Sequence, residues 1–205
     1  MEQKVTYAEQ IIKKVKQAKD PEQIDYLNID NNIHNGYVIV QYQKLELEER
    51  ELVDGKITMC LPKTFQLMEP ALVDIKYPGE DQPEFVYTNE KTTVNITFSL
   101  EKEHITNEAI EALRDALAKQ MQQLYPDSPI ADQEIIEAGK KKVAYFSFEV
   151  PLLDEPAYNL MFFTTLEEGL LIGSFNCSVY DKKEWWPIVK QLLATIRDNT
   201  IEKIE

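Results

Sequence analysis

The sequence predicts an α+β fold in which a central, mostly antiparallel sheet is flanked by helices. Two observations support this prediction. Apolar strands follow one another at hairpin spacing, joined by short turns such as Asp54-Gly55, whereas parallel strands would need long crossovers. Two further long segments repeat apolar residues at helical spacing. Because each of these helices has a single apolar stripe, each must pack on the sheet.

Residues 1–54 are predicted to form an N-terminal helix-and-strand extension of a domain that spans 55–205. Apolar residues recur at steps of three and four from Ala8 to Ala18, which is typical of one helix face. Thr6 and Glu9 have the spacing of a capping box at the start of this helix. A turn is then expected at Asn35-Gly36, because both residue types tolerate positive φ.

From Tyr37 the apolar period changes to two, which predicts a strand and then a hairpin that joins 45–53 to 56–61. Four prolines between residues 62 and 83 predict an irregular stretch with one short strand at 73–77. The alternation is clearest at 93–100. The polar alternates there indicate that one face of the sheet is solvated or thinly covered.

The strongest helical pattern lies at 110–124, with Thr106 or Asn107 as the N-cap. Its apolar stripe consists of Ile110, Leu113, Leu117, Met121 and Leu124. Strands are then expected at 134–137, 143–150, 157–166 and 170–179, with Glu168-Gly169 as a tight turn. The last helix, with a stripe that reaches Ile196, should begin near Glu184, because proline at position 187 is tolerated only in the first turn.

Charge and cysteine content narrow the classes of function. The net charge is −14, from 22 Lys and Arg against 36 Asp and Glu, which argues against nucleic-acid binding and disfavours an anionic membrane surface. No apolar run reaches the roughly 18 residues of a membrane span, and the first residues lack the apolar region of a secretory signal. We therefore expect no membrane insertion and a cytoplasmic location.

Cys60 and Cys177 are interpreted as buried free thiols, with a cross-strand disulfide as the alternative.

Catalytic and cofactor motifs are not evident, so the chain is expected not to be an enzyme and to bind no cofactor. His34 and His104 have no nucleophile motif beside them and are interpreted as surface residues. His104 lies among the acids Glu101, Glu103 and Glu108, but this group lacks the spacing of a zinc or calcium site and suits a solvated helix start. The six glycines form no phosphate loop.

An acid-rich segment is the first candidate for protein binding. Glu46, Glu48, Glu49 and Glu51 interleave with leucines in a predicted strand, although Glu49 and Glu51 break strict alternation. One interpretation is that the charges protect an edge strand from aggregation. The other is an anionic face that docks a basic segment of a partner.

Aromatic residues are the second candidate. Trp185 and Trp186 are adjacent and therefore cannot share one face of a helix. Either both pack in the core, or one of them is exposed near Phe162 and serves as an interface anchor. The sequence leaves both alternatives open.

Three stretches resemble the Mog/PsbP-like fold family. Residues 57–62 (ITMCLP) look like its opening strand, which ends in Leu-Pro. Residues 77–87 resemble its loop and strand, in which a proline and an acidic-Gln pair precede an aromatic residue. Residues 185–197 look like its closing helix, with an aromatic-proline start and an Ile-Arg end. The resemblance covers about Lys56 to Arg197 and implies the family's antiparallel sheet with a long helix and a closing helix.

The family includes a Ran-binding protein, PsbP, DcrB-like envelope lipoproteins and chaperones of secreted effectors, and its members share the binding of other proteins. The resemblance therefore implies a non-enzymatic protein-binding module, one version of which is a chaperone or accessory for a secreted effector. The alternative is a small-molecule or lipid-binding domain with an apolar pocket between sheet and helix. An enzyme of unrecognised type is a third hypothesis. The partner's identity and a homodimer are left open.

Overall fold

The computed structural model describes residues 30–152 and 154–200. The helix predicted between Ala8 and Ala18 lies outside these residues. Of these, residues 31–152 and 154–200 belong to one compact unit. The boundary at residue 54 that the sequence favours falls inside a hairpin of this unit, between the paired residues Leu52 and Ile57. The strand part of the predicted extension therefore belongs to the main domain.

The described residues contain eleven strands and three α-helices. The strands are β1 (Tyr37–Val40), β2 (Gln43–Leu52), β3 (Ile57–Pro62), β4 (Gln66–Leu67), β5 (Phe85–Thr88), β6 (Asn95–Glu101), β7 (Ile130–Ala138), β8 (Lys141–Val150), β9 (Ala157–Leu166), β10 (Gly169–Ser178) and β11 (Arg197–Asp198). The helices are α1 (Pro70–Lys76), α2 (Ile110–Leu124) and α3 (Lys182–Leu193). Each strand pairing is antiparallel, which confirms the predicted α+β class. No helix among these residues is long and apolar enough to cross a membrane.

The strands form two sheets. The small sheet has the order β1-β2-β3-β11, and the large sheet has the order β4-β5-β6-β10-β9-β8-β7. One core cluster joins both sheets and α3, and a second lies between α2 and the other face of the large sheet. Phe162 and Phe163 belong to different clusters, because successive strand residues point to opposite faces.

Two elements in the first half of the domain differ from their predictions. The short strand expected at 73–77 is wrong, since most of it lies in α1, whose first turn contains Pro70. Proline suits this position because its fixed φ is already helical and its missing N–H has no helical partner there. Helix α2 begins after Ala109 instead of at the predicted caps. The side-chain oxygen of Asn107 accepts a hydrogen bond from the Lys142 backbone N–H at 2.8 Å instead.

The closing helix also differs in its ends. It begins at Lys182, so Pro187 lies in its second turn rather than its first. Proline removes the N–H that would bond to the carbonyl four residues earlier, and that residue, Lys183, is exposed to water. The helix ends at Leu193, before the predicted stripe is complete. Ile196 is still buried, and β11 follows it and pairs with β3.

The hairpin between β9 and β10 has its two-residue turn at Glu167-Glu168, one residue before the predicted position, because Leu166 pairs with Gly169. Gly169 has a φ of 151°. A Cβ at this position would lie 2.1 Å from the backbone oxygen of Glu101. Glycine therefore allows the hairpin to approach the end of β6 closely.

Candidate protein-binding surface

The four predicted acidic residues do not share a face. Strand β2 keeps a regular register along its length, so Glu46 and Glu48 point to one side of the sheet while Glu49 and Glu51 point to the other. Nor is β2 an edge strand, because β1 pairs with its first four residues and β3 pairs with its last six. The structure therefore replaces the expected anionic face with two separate acidic pairs.

Three of these carboxylates form ion pairs within the chain. The pairs are Glu46 with Lys63 at 2.8 Å, Glu48 with Arg50 at 3.6 Å and Glu49 with Arg197 at 2.8 Å. The hydrogen bonds from Lys63 and Arg197 lower the pKa of Glu46 and of Glu49. Such exposed pairs contribute little to stability, but they reduce the charge available to a partner. Glu51 lies in an open cleft of about 720 Å³ beside Asp54.

Two of the predicted aromatic residues are core residues. Trp185 is 3% exposed, and its ring lies 5.9 Å from that of Phe65 and 5.7 Å from that of Phe175. Phe162 is fully buried, and its ring covers the backbone of Gly173, where a Cβ would lie 2.1 Å from the ring. Neither Trp185 nor Phe162 is positioned to contact a partner.

Trp186 is half-buried and points to another side of α3, as its adjacency to Trp185 requires. Its ring packs edge-on against Tyr145 at 5.4 Å and Tyr158 at 6.1 Å. The Lys190 ammonium lies 5.1 Å from the centre of the indole. Trp186 thus holds α3 on the large sheet and keeps part of its ring accessible.

The remaining candidates lie apart from one another. His34 and His104 are both exposed, and no group of three His, Cys, Asp or Glu side chains within the described ranges could hold a metal ion. Cys60 and Cys177 are free thiols. Burial raises the pKa of Cys177 to about 12, so this thiol stays protonated at neutral pH.

The structure reveals a surface that was not predicted as a site. Helix α2 packs on β7, β8 and β9 and leaves the neighbouring part of that sheet face partly open. A groove of about 430 Å³ lies there, and we call it the amide groove. Its floor contains Asn95, Asn159 and Asn176. Its walls include Lys76, Tyr77, Val150, Leu152 and Pro156.

The three asparagines form a row across adjacent strands. Asn176 of β10 lies directly opposite Asn159 of β9 on one side and Asn95 of β6 on the other. The Asn95 side-chain amide donates to the Asn176 side-chain oxygen at 2.7 Å, and Asn176 donates to the Tyr77 hydroxyl at 3.3 Å. Asparagine is depleted in strands, so a row of three on one face needs an explanation.

The floor of the groove has one incompletely satisfied group. Asn95 is 1% exposed, and its side-chain oxygen has no hydrogen-bond partner. A buried polar atom without a partner costs about 1–3 kcal/mol, so proteins keep few of them. Burial raises the pKa of Tyr77, so its hydroxyl keeps its proton at neutral pH. The groove therefore has an unsatisfied acceptor in its floor and a hydroxyl donor in its wall.

The rim of the groove is apolar in places. Leu152 in its wall is 59% exposed. The only sequence signal for this site was the polar alternation at 93–100. It indicated a thinly covered face, but Asn95 and Thr97 are in fact buried. The asparagines of β9 and β10 could be placed beside Asn95 only once the strand register was known.

Comparisons with known proteins find similarity in structure. No family model and no curated protein matches the sequence. The solution structure of cyanobacterial PsbP (CyanoP) from Synechocystis sp. PCC 6803 matches with a TM-score of 0.55 at 8% identity, over 74% of this chain and 92% of that one. The Ran-binding protein Mog1p of Saccharomyces cerevisiae matches with a TM-score of 0.50 at 12% identity, over 75% and 96% of the two chains.

Proposed function

Because the chain has the Mog/PsbP-like fold, we propose that it is a non-enzymatic protein-binding module that uses the amide groove. The observation that carries this proposal is the partly open sheet face, with a buried unpartnered acceptor in its floor and the exposed apolar side chain of Leu152 in its wall. A fold neighbour that is a Ran-binding protein supports protein binding as the class of function.

The shape and composition of the groove suit a protein segment. Protein interfaces combine apolar anchors with hydrogen-bonding groups that are satisfied on binding. The exposed side chain of Leu152 adds an apolar surface to the groove wall. A protein segment that places one side chain in the groove and an apolar residue beside it would cover both the hydrogen-bonding groups of the groove and its apolar wall.

A small-molecule or lipid pocket between sheet and helix has less support. The side of α3 that faces the core is filled by side chains that are each no more than 3% exposed: Trp185, Ile188, Val189, Leu192 and Leu193. A ligand there would have to displace this packing. We therefore do not retain the pocket as a second candidate.

Two finer proposals depend on the identity of the bound segment. The acids of β2, Glu51 above all, are a proposed second contact for a basic segment. The family resemblance suggests that the partner is a secreted effector that this chain chaperones. In that version, the segment would be an amphipathic helix with apolar anchors at spacings of three and four.

The test is selection of peptides from a random display library on the full chain. We expect the selected peptides to bind Ala157→Trp at least tenfold more weakly, because Ala157 lines the groove and indole would fill it. Ala131→Trp is the matched control, since Ala131 is exposed on the edge strand β7 and does not line the groove.

Unchanged peptide affinity in Ala157→Trp would overturn the proposal. The selected sequences also test the finer versions. If the acids of β2 contact the partner, the selected peptides should be enriched in Lys and Arg. If the chain is a chaperone, the peptides should repeat apolar residues at spacings of three and four.

A further inference from the structure

We propose that the amide groove recognises a carboxamide, the side chain of Asn or Gln in the partner segment. This inference rests on the proposed function and adds the chemistry of the recognised group. It follows from the hydrogen bonds of three groove residues: Asn95, Asn176 and Tyr77.

These residues form a chain of hydrogen bonds with two different ends. Asn95 donates to Asn176, which donates to the Tyr77 hydroxyl. The acceptor end is the side-chain oxygen of Asn95, which is buried and has no partner. The donor end is the Tyr77 hydroxyl, because it accepts from Asn176 and its own proton is still available. A ligand that satisfies both ends must donate a hydrogen bond to the Asn95 oxygen and accept one from the Tyr77 hydroxyl.

Charged side chains match these two ends poorly. A carboxylate only accepts, so it would face the Asn95 oxygen with a second acceptor. A lysine ammonium only donates, which leaves the Tyr77 proton unused, and Lys76 in the groove wall would repel it. The groove is lined by one carboxylate, Glu155, and by two lysines, Lys76 and Lys91, so it holds no excess negative charge to balance a bound cation. The matching group is therefore neutral.

Among neutral groups, a primary carboxamide fits best. A trans peptide unit directs its N–H and its C=O in opposite directions, so it cannot offer both to one side. The primary amide of Asn or Gln carries an N–H on the same side as its oxygen and can offer both. A free small amide would leave the exposed apolar side chain of Leu152 uncovered, which favours a side chain of a protein segment over a free small amide.

The experiment titrates N-acetylglutamine methylamide into the uniformly ¹⁵N-labelled full chain and follows the side-chain amide signals of Asn95 and Asn176 by NMR. We expect saturable shifts of both signals. The glutamate and methionine analogues, which have nearly the same shape, should bind at least tenfold more weakly. Tyr77→Phe should weaken the glutamine probe about three- to tenfold, the effect of one neutral hydrogen bond. Tyr125→Phe, at the exposed end of α2, is the matched control and should bind as the wild type does.

Equal binding of the three analogues, or no shift with any of them, would overturn the inference. Thermal unfolding of Tyr77→Phe shows whether the variant is folded. The display selection separates this inference from the proposed function. Groove-dependent peptides without Asn or Gln would refute the carboxamide and leave protein binding intact. Binding of the probe without any groove-dependent peptide would refute protein binding and the protein source of the amide.

Discussion

Phe162 illustrates how a single residue depends on its neighbour across the sheet. It pairs with Gly173 on β10, and its ring occupies the space that a side chain at position 173 would need. The sequence shows an aromatic residue and a glycine 11 positions apart, with no sign that one covers the other. The pairing makes Phe162 a structural residue and removes it from the candidate interface anchors.

The first prediction concerns this pair. Gly173→Ala should destabilise the chain by about 1–3 kcal/mol, the usual cost of overpacking a filled core. The physical reason is the 2.1 Å separation between the new Cβ and the Phe162 ring. Chemical denaturation measures the free energy of unfolding.

A double-mutant cycle provides the control for this prediction. In a Phe162→Leu background, the same glycine substitution should cost less, because leucine leaves room for the methyl group. An equal cost in both backgrounds would show that the ring is not the cause.

At the scale of elements, α3 is held on the large sheet by two lysines that reach acids across the interface. Lys182 pairs with Glu149 of β8, and Lys190 pairs with Glu134 of β7. Each ammonium also lies near an aromatic ring, Lys182 over Tyr158 and Lys190 over Trp186. The helix is thus fixed on the sheet by an apolar face and by charged contacts at its margin.

The second prediction follows from the hydrogen bond of Lys190, which is the main cause of the lowered pKa of Glu134. A carboxyl group with a lowered pKa stabilises the folded state above its unfolded pKa of about 4.3, and this contribution is lost as the pH falls through its folded pKa. Lys190→Met should therefore be less stable than the wild type at pH 7, by no more than about 1 kcal/mol because the pair is partly exposed.

The difference between wild type and Lys190→Met should shrink in thermal unfolding experiments as the pH falls below the ordinary glutamate pKa of about 4.3 and through the lowered pKa of Glu134, because the carboxylate is then protonated. Lys183→Met is the matched control, since Lys183 is an exposed lysine of the same helix. A difference that is the same at pH 7 and at pH 3 would contradict this account.

At the scale of the whole molecule, the net charge of −14 is the dominant electrostatic property. Excess charge of one sign destabilises a compact state through self-repulsion. The exposed ion pairs, such as Lys63 with Glu46, oppose this effect only weakly, because each contributes little in water. Repulsion should therefore outweigh the attraction of these pairs.

The third prediction is that NaCl stabilises the chain. Between about 0.01 M and about 0.1 M salt, the screening length falls from about 30 Å to about 10 Å, which suppresses repulsion across the molecule more than attraction within a pair. The midpoint of thermal unfolding should rise over this range. A fall in the midpoint would mean that the ion pairs outweigh the net charge, and a neutral solute at equal osmolarity controls for non-ionic effects.

Local patterns in the sequence determined the elements and the class of the fold. Alternation placed the strand at 157–166 within the bounds of β9, and Asp54-Gly55 located the hairpin of β2 and β3. These patterns work because side-chain periodicity and turn conformation depend on neighbouring residues. The predicted first residues of two helices were wrong: Thr106 does not cap α2, and Pro187 does not lie in the first turn of α3. At a helix end, several neighbouring residues can serve as the first residue, because the terminal backbone groups can bond to other backbone groups or to water.

Only the tertiary structure decided which surface is a candidate site. The register brings Asn95, Asn159 and Asn176 into one row although they come from three strands far apart in the chain. It also separates Glu48 from Glu49, which the sequence grouped together. The physical reason is that strand pairing depends on contacts between distant segments, whereas sequence patterns report only the preferences of residues near one another in the chain.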